Sequence, residues 1–260
     1  MNELLSPLTH RWKRWFVVPP ALPTPYGISD FVNFFREETW SFSPAYARKN
    51  LELRGVEELM SLQKTQAVVI CFLHHGSFML MGGGFRHQLG LPYSAVVSTR
   101  NIDPESEEER FWVGVHQRLQ SLYESPLFYT HEPVTGILKW LKIPGNLFGI
   151  VLDVRERHIP HKEERFSFMG RQIFMQTGPA RLARLARVPM VPCVTWYEVA
   201  SRKHIVQMLP AITTILDDPI DVTQRALALI EPYIMKYPEQ QFYDIASALE
   251  IPHAYSRSRT

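Results

Sequence analysis

Two histidines directly follow an apolar segment of strand length. Residues 68–73 are continuously apolar, and His74, His75, Gly76 and Ser77 come next. An unbroken apolar run is typical of a strand that is buried on both faces. Functional groups of α/β proteins commonly lie where such strands end, and histidine exchanges a proton most readily near neutral pH. The pattern therefore predicts a general base at this strand end, with an ordinary polar turn as the structural alternative.

A second apolar segment ends in an acidic residue. Residues 148–152 are apolar and Asp153 follows them. The carboxyl ends of parallel strands often meet at one crevice, so we expect Asp153 to lie near His74. A histidine beside a carboxylate is an arrangement suited to general-base catalysis. We therefore predict His74 and Asp153 as the catalytic pair.

Basic side chains accumulate after Asp153. They are Arg155, Arg157, His158, His161, Lys162 and Arg165. Guanidinium groups bind phosphate oxygens well because their donors match the phosphate geometry. The cluster predicts either a solvated loop or a basic opening that receives the phosphates of a lipid headgroup, of CoA or of a carrier-protein arm.

Strand-like and helix-like segments alternate along the chain. The predicted strands are residues 67–73, 93–98, 127–129, 148–152, 190–196 and 205–209, with a hairpin around Gly170. The predicted helices are residues 29–36, 55–63, 76–86, 103–123, 133–142, 178–187 and 222–235. We expect Gly82–Gly84 to weaken the third of these helices. The alternation predicts an α/β fold with a mainly parallel central sheet that helices flank.

Composition limits the classes of function. The 260 residues carry a formal charge of +2, from 28 basic and 26 acidic side chains, so nothing requires a nucleic-acid partner. No apolar run approaches the ~18–20 residues that a membrane-spanning helix needs. Cys71 and Cys193 lie in apolar segments and are expected to be reduced core residues. We expect neither a cofactor nor a metal ion.

The first 27 residues differ from the rest of the chain. They mix leucine and tryptophan with arginine and lysine, and then become rich in proline. A basic segment that contains tryptophan can lie in a lipid interface, or it can pack on its own domain. We expect residues 1–27 to be a basic amphipathic arm with a proline-rich linker, and residues 28–260 to form a single α/β domain.

These motifs, in their order and spacing, resemble the lysophospholipid acyltransferase superfamily, especially its bacterial lipid A (lauroyl/myristoyl) acyltransferase branch. That branch has a pattern like His-Phe-Gly-Asn-Trp-Glu after a buried strand, and residues 74–79 read His-His-Gly-Ser-Phe-Met. Its arginine-bearing strand end is matched by residues 98–101, and its Asp-Gln strand end by residues 153–154. The resemblance implies the glycerol-3-phosphate acyltransferase-like fold.

Further matches follow downstream. The family's phenylalanine-x-Gly turn corresponds to residues 168–170, and its helix start to residues 177–180. Its Val-Pro strand corresponds to residues 188–192, and its Pro-Glu-x-x-Phe-Trp element to residues 238–243. The resemblance covers roughly residues 65 to 245. The substrate-binding residues that we expect from these motifs and from the basic cluster are His75, Gly76, Ser77, Arg100, Arg155, Gly170, Thr177 and Gly178.

The chain departs from the family at one position. The family's catalytic acid lies five residues after the histidine, where this chain has Met79. A methionine cannot accept a useful hydrogen bond from imidazole, and loss of an orienting carboxylate can cost orders of magnitude in rate. Three explanations stay open: Asp153 supports His74 instead, the site uses a different chemistry, or catalysis has been lost.

The resemblance implies an acyltransferase that moves a fatty acyl group from a thioester to a hydroxyl or amine of a lipid or glycolipid. The donor would be an acyl-carrier protein or acyl-CoA, and the protein would be cytoplasmic, with peripheral contact to the cytoplasmic face of the inner membrane. The alternatives are a non-catalytic acyl- or lipid-binding protein, which Met79 favours, and a thioester or ester hydrolase.

Overall fold

The computed structural model describes residues 27–97, 107–153 and 164–242. The helices are α1 (Ile28–Glu38), α2 (Pro44–Asn50), α3 (Glu57–Leu62), α4 (Met81–Leu89), α5 (Glu107–Tyr123), α6 (Thr135–Trp140), α7 (Gly178–Ala186) and α8 (Pro219–Lys236). The strands are β1 (Leu51–Arg54), β2 (Val68–Phe72), β3 (Tyr93–Val97), β4 (Phe128–Tyr129), β5 (Leu147–Val151), β6 (Glu164–Phe168), β7 (Arg171–Met175), β8 (Met190–Glu198) and β9 (Lys203–Met208). Short 3₁₀ turns cover Phe78–Leu80 and Pro238–Gln240, among others. The predicted N-terminal arm lies outside the described residues, apart from Gly27.

Seven strands form one sheet in the order β1-β9-β8-β2-β5-β3-β4. Strands β8, β2, β5, β3 and β4 run parallel, whereas β9 is antiparallel to β8 and parallel to β1. Strands β6 and β7 form a separate antiparallel hairpin. The predicted α/β class, with a mostly parallel sheet that helices flank, is confirmed.

Strand β2 lies at the centre of the sheet and is buried along its whole length. Its alternate side chains enter two different cores, because successive residues of a strand point to opposite faces. Val69 and Cys71 belong to the core that α7 and α8 cover. Ile70 and Phe72 belong to the core that α1, α4 and α5 cover. This burial on both faces is what the unbroken apolar sequence predicted.

Helix α4 continues through its three glycines, contrary to the expected weak end. A Cβ atom on Gly82 would lie 2.2 Å from the Tyr93 ring, and one on Gly84 would lie 2.7 Å from the Leu51 side chain. The glycines therefore allow close packing of α4 on β1 and β3, and this packing compensates for their low helix propensity.

The predicted hairpin turns at Met169 and Gly170. Both residues have positive φ, of 51° and 72°. Two consecutive residues with positive φ are typical of the tight turn whose twist matches that of the flanking strands. The hairpin packs on α8, where the Gln224 side chain bonds both the N–H and the carbonyl of Ser167.

Candidate active site

The imidazole of His74 and the carboxylate of Asp153 are in direct contact. Phe72 and Val151 are paired at the ends of β2 and β5, and each of the two residues lies two positions further on. His74 Nδ1 is 2.8 Å from Asp153 Oδ1, and the backbone N–H of His74 donates to Oδ2 at 3.0 Å. The Asp153 side chain is fully buried and that of His74 is 23% exposed. The two strand ends therefore bring together the pair that the sequence predicted.

This contact favours one tautomer of the ring. A buried carboxylate accepts, so Nδ1–H of a neutral His74 donates to Asp153 and the lone pair lies on Nε2. A histidine oriented in this way can remove a proton from a hydroxyl or amine that approaches Nε2.

A cavity of about 640 Å³ opens beside His74. Its wall is predominantly apolar and comes from α1, β3, α5, the turn after β2 and the start of α7. Wall residues include Phe72, Phe78, Met79, Ala95, Leu119, Ile137, Leu152, Pro179 and Phe242. The volume and lining are typical of a pocket for an apolar ligand.

Met79 replaces the expected acid and belongs to this wall. Its backbone carbonyl accepts a hydrogen bond of 2.6 Å from the Tyr123 hydroxyl, and the residue lines the cavity. The carboxylate beside His74 comes from the end of β5 instead. Of the three explanations for Met79, the geometry agrees with the one in which Asp153 supports His74.

His75 is buried behind the site. Its Nδ1 lies 2.7 Å from the carbonyl of Thr195 and its Nε2 lies 2.8 Å from that of Tyr237. Burial lowers the pKa of His75, whereas the two carbonyl acceptors act in the opposite direction. Both ring nitrogens face backbone carbonyls, and His75 does not line the cavity. This placement differs from the substrate contact that the sequence predicted.

Gly76 and Ser77 form the tight turn after the histidines. Gly76 has φ 55°, and a Cβ there would lie 2.2 Å from the Thr195 carbonyl oxygen, so no other residue fits. Its N–H donates to the Gln240 carbonyl at 2.8 Å and is therefore engaged. The Ser77 hydroxyl is 2.5 Å from His204 Nδ1. Neither residue is part of the described cavity lining.

The other expected binding residues are dispersed. Gly178 begins α7 and lines the cavity. Thr177 is buried and its hydroxyl accepts from Arg181 Nε at 2.7 Å, whereas Gly170 is at the tip of the hairpin. Arg100 and Arg155 lie outside the described residues. Among the predicted site residues that the structure describes, those at the cavity or in contact with its wall are His74, Asp153 and Gly178.

Two phenylalanines, Phe242 and Phe78, pack around His74. The N–H of Phe242 donates to the His74 carbonyl at 3.0 Å. The Phe78 ring packs edge-to-face on the His74 ring, with centroids 4.9 Å apart at 84°, and also contacts Phe242 at 5.1 Å. The resemblance of residues 238–243 to a family motif was the available signal for Phe242.

Across the described ranges, no three histidine, cysteine, aspartate or glutamate side chains are grouped so that they could hold a metal ion. None of the helices within those ranges is both long and apolar enough to cross a membrane.

Comparison with known proteins identifies the family of the chain. Residues 31–243 match the family described as bacterial lipid A biosynthesis acyltransferase. Among solved structures, the chain is similar to the 1-acyl-sn-glycerophosphate acyltransferase PlsC from Thermotoga maritima, with 12% identity and a TM-score of 0.43 over 80% of this chain and 78% of that one. A search of curated proteins gives no match. Because the family match spans most of the chain, the protein belongs to the bacterial lipid A biosynthesis acyltransferases and is an acyltransferase.

Proposed function

We propose that this acyltransferase moves a fatty acyl group from a thioester donor, either an acyl-carrier protein or acyl-CoA, to a hydroxyl or amine of a lipid or glycolipid. His74 is the general base and Asp153 orients it. The observation that carries the proposal is the 2.8 Å contact between His74 and Asp153 at the wall of an apolar cavity.

The proposed reaction has one addition and one elimination. Nε2 of His74 takes the acceptor proton as the acceptor oxygen or nitrogen bonds to the thioester carbonyl carbon. The tetrahedral intermediate then expels the thiolate, and the proton held by His74 returns to the leaving sulfur. Asp153 stabilises the imidazolium while it exists. The N–H of Gly76 donates to the Gln240 carbonyl and takes no part in the proposed reaction.

The cavity is proposed as the site of the acyl chain. Burial of each methylene in an apolar pocket contributes about 0.8 kcal/mol, and the cavity of about 640 Å³ is within the usual size range of ligand pockets. The chain would extend from His74 toward Leu119 and Trp112, which also line the cavity. The acyl carbonyl would then remain beside the base.

Phosphate binding is assigned to the segments that follow β3 and β5. Arg100 and Arg155 come after these strands in the sequence, so they are suited to hold the phosphates of the donor or acceptor. We also retain residues 1–27 as a peripheral contact to the cytoplasmic face of the inner membrane, because a basic segment with tryptophan suits a lipid interface.

The first test is thioester consumption with a panel of acyl-carrier-protein and acyl-CoA donors. The native chain is compared with His74→Ala, using lysophospholipid, glycolipid and water-only conditions. The expected result is turnover that needs an acceptor and is lost in His74→Ala. Turnover in water alone would identify a hydrolase, and donor binding without turnover would identify an acyl-binding protein; either result contradicts the proposal.

A further inference from the structure

A buried polar network lies beside the active-site turn. Ser77 Oγ is 2.5 Å from His204 Nδ1, and His204 Nε2 is 2.9 Å from Glu38 Oε1. The Tyr46 hydroxyl donates to the same carboxylate oxygen. Ser77, His204 and Glu38 are each 1% exposed. The network connects α1, α2 and β9 to the turn that carries His74.

The network is costly to bury. Removing a carboxylate and an imidazole from water carries a desolvation penalty that hydrogen bonds only partly offset. Glu38 Oε2 has no hydrogen-bond partner among the described residues. Burial and the adjacent Glu38 raise the pKa of Tyr46, so its hydroxyl remains a donor. A feature that costs stability in this way invites a functional explanation.

The network sets the direction of each hydrogen bond. When Glu38 accepts from Nε2–H of His204, the lone pair of the ring lies on Nδ1. Nδ1 then accepts the Ser77 hydroxyl proton. The Ser77 side chain is therefore held in one orientation by residues of β9 and α1.

Ser77 is held between two constrained neighbours. The Gly76 backbone packs so closely on β8 that a Cβ there would lie 2.2 Å from the Thr195 carbonyl oxygen. Phe78 stacks between Phe35 and Phe72, at centroid distances of 6.0 and 5.9 Å, and its ring packs on that of His74. A shift of Ser77 would thus be transmitted through Phe78 to the His74 ring.

We propose that Glu38 and His204 are positioning residues that act through Ser77 and Phe78 to keep the His74 ring against Asp153. The inference rests on the proposed role of His74 as the base. The same side-chain types occur in Ser–His–acid triads, but Ser77 is buried and is not part of the described cavity lining. The geometry therefore favours positioning over nucleophilic attack.

Ser77→Ala tests the proposal by removing one hydroxyl and little volume. We expect kcat to fall about tenfold, equivalent to a modest loss of transition-state alignment, while KM changes less than about twofold. The Nδ1–H proton resonance of His74 should also broaden or move upfield in the NMR spectrum. A role in folding alone would alter neither kcat at a permissive temperature nor this resonance.

Thr214→Val is the matched control. Thr214 is 1% exposed and its hydroxyl donates to the Val188 carbonyl at 2.9 Å, apart from the active-site turn. This variant should lose comparable stability but keep kcat and the His74 resonance. If Ser77→Ala behaves like Thr214→Val, the positioning role is wrong. If Ser77→Ala fails to fold, Ser77→Cys, whose thiol is somewhat larger and a weaker donor, takes its place with the same expected outcomes.

Two variants of Glu38 test the hydrogen bond from His204. Glu38→Gln keeps an oxygen that can accept from His204 Nε2–H, so it should retain more of kcat than Glu38→Leu. Equal loss in both variants would contradict the assigned direction of the hydrogen bonds.

Mass spectrometry after incubation with donor should find no acyl group on Ser77. An adduct there would make Ser77 a nucleophile and overturn the proposal. An active His74→Ala protein would instead refute the proposed function itself.

Discussion

The carboxylate of Asp153 determines which nitrogen of His74 carries the proton. Asp153→Asn replaces one carboxylate oxygen by an NH₂ group, which can turn the ring to the wrong tautomer while the volume is unchanged. In serine proteases the corresponding change costs about 10⁴ in kcat. We expect a loss of about 10²–10⁴ in kcat here, measured by thioester consumption, with donor binding retained.

Met79→Glu is the informative companion variant. It places a carboxylate at the position where the sequence resemblance predicts the catalytic acid, but the cavity wall at that position is apolar. In the Asp153→Asn background, recovery of activity would show that either carboxylate can serve His74. Full activity of Asp153→Asn alone would contradict the proposed orientation of the base.

His116 is expected to make stability depend on pH. The residue is 9% exposed and its Nδ1 has no hydrogen-bond partner among the described residues, and burial lowers its pKa to about 4. Between pH 6.5 and about 4 the unfolded chain binds this proton and the folded chain does not, so stability falls as the pH falls. Across this pH range the free energy of unfolding falls by at most about 3 kcal/mol because of His116.

Denaturant titration of His116→Phe measures this contribution. The free energy of unfolding of the variant should depend less steeply on pH in that window than that of the native chain. Identical pH dependence in both proteins would exclude His116 as the source. Asp153 and the other carboxylates are common to both proteins and cancel in the comparison.

At the scale of elements, close packing rather than helix propensity explains why helix α4 contains three glycines. Gly82→Ala should destabilise the protein by up to about 2 kcal/mol, because overpacking against Tyr93 costs about 1–3 kcal/mol and the gain in helix propensity offsets about 1 kcal/mol. Gly114→Ala in α5 is the matched control, since its nearest neighbour is a Trp40 ring atom at 3.5 Å, an ordinary contact. Thermal unfolding should show the control to be neutral or more stable. Stabilisation by Gly82→Ala would contradict the tight contact with Tyr93.

The elements that sequence reasoning located best are those with the clearest hydrophobic pattern. Strand β2 was expected at residues 67–73 and is observed at Val68–Phe72, because a strand buried on both faces leaves an unbroken apolar signature. The meeting of His74 and Asp153 followed from the rule that parallel strands end at one edge. Strand β1 and helix α2 were not predicted, since each is short and only part of each is buried.

The remaining features depend on contacts between distant parts of the chain. His204 meets Glu38 across 166 positions, and no local pattern marks either residue. The place of His75 behind the site depends on the Thr195 and Tyr237 carbonyls, which only the folded chain brings together. Adjacent histidines in sequence thus have different surroundings, because the chain turns after β2, where the N–H of His75 donates to the Leu73 carbonyl at 2.7 Å.

At the scale of the whole molecule, the size of the cavity should limit the length of the acyl chain. Ala95 lies on β3, beside Gly149 of β5, and lines the cavity. Ala95→Phe fills part of the space that we assign to the acyl chain. Each methylene that no longer fits forfeits about 0.8 kcal/mol of burial, which is roughly a fourfold loss in kcat/KM. We therefore expect the longest donors to lose most.

A series of donors of increasing chain length provides its own control. The shortest donor should react with Ala95→Phe at nearly the native rate, because it does not reach the added ring, and the optimum should move to shorter chains. An equal loss for every donor would mean that the substitution disturbs His74 instead of the acyl chain. An unchanged optimum would place the acyl chain outside this cavity, and the base would then act on a donor bound elsewhere on the protein.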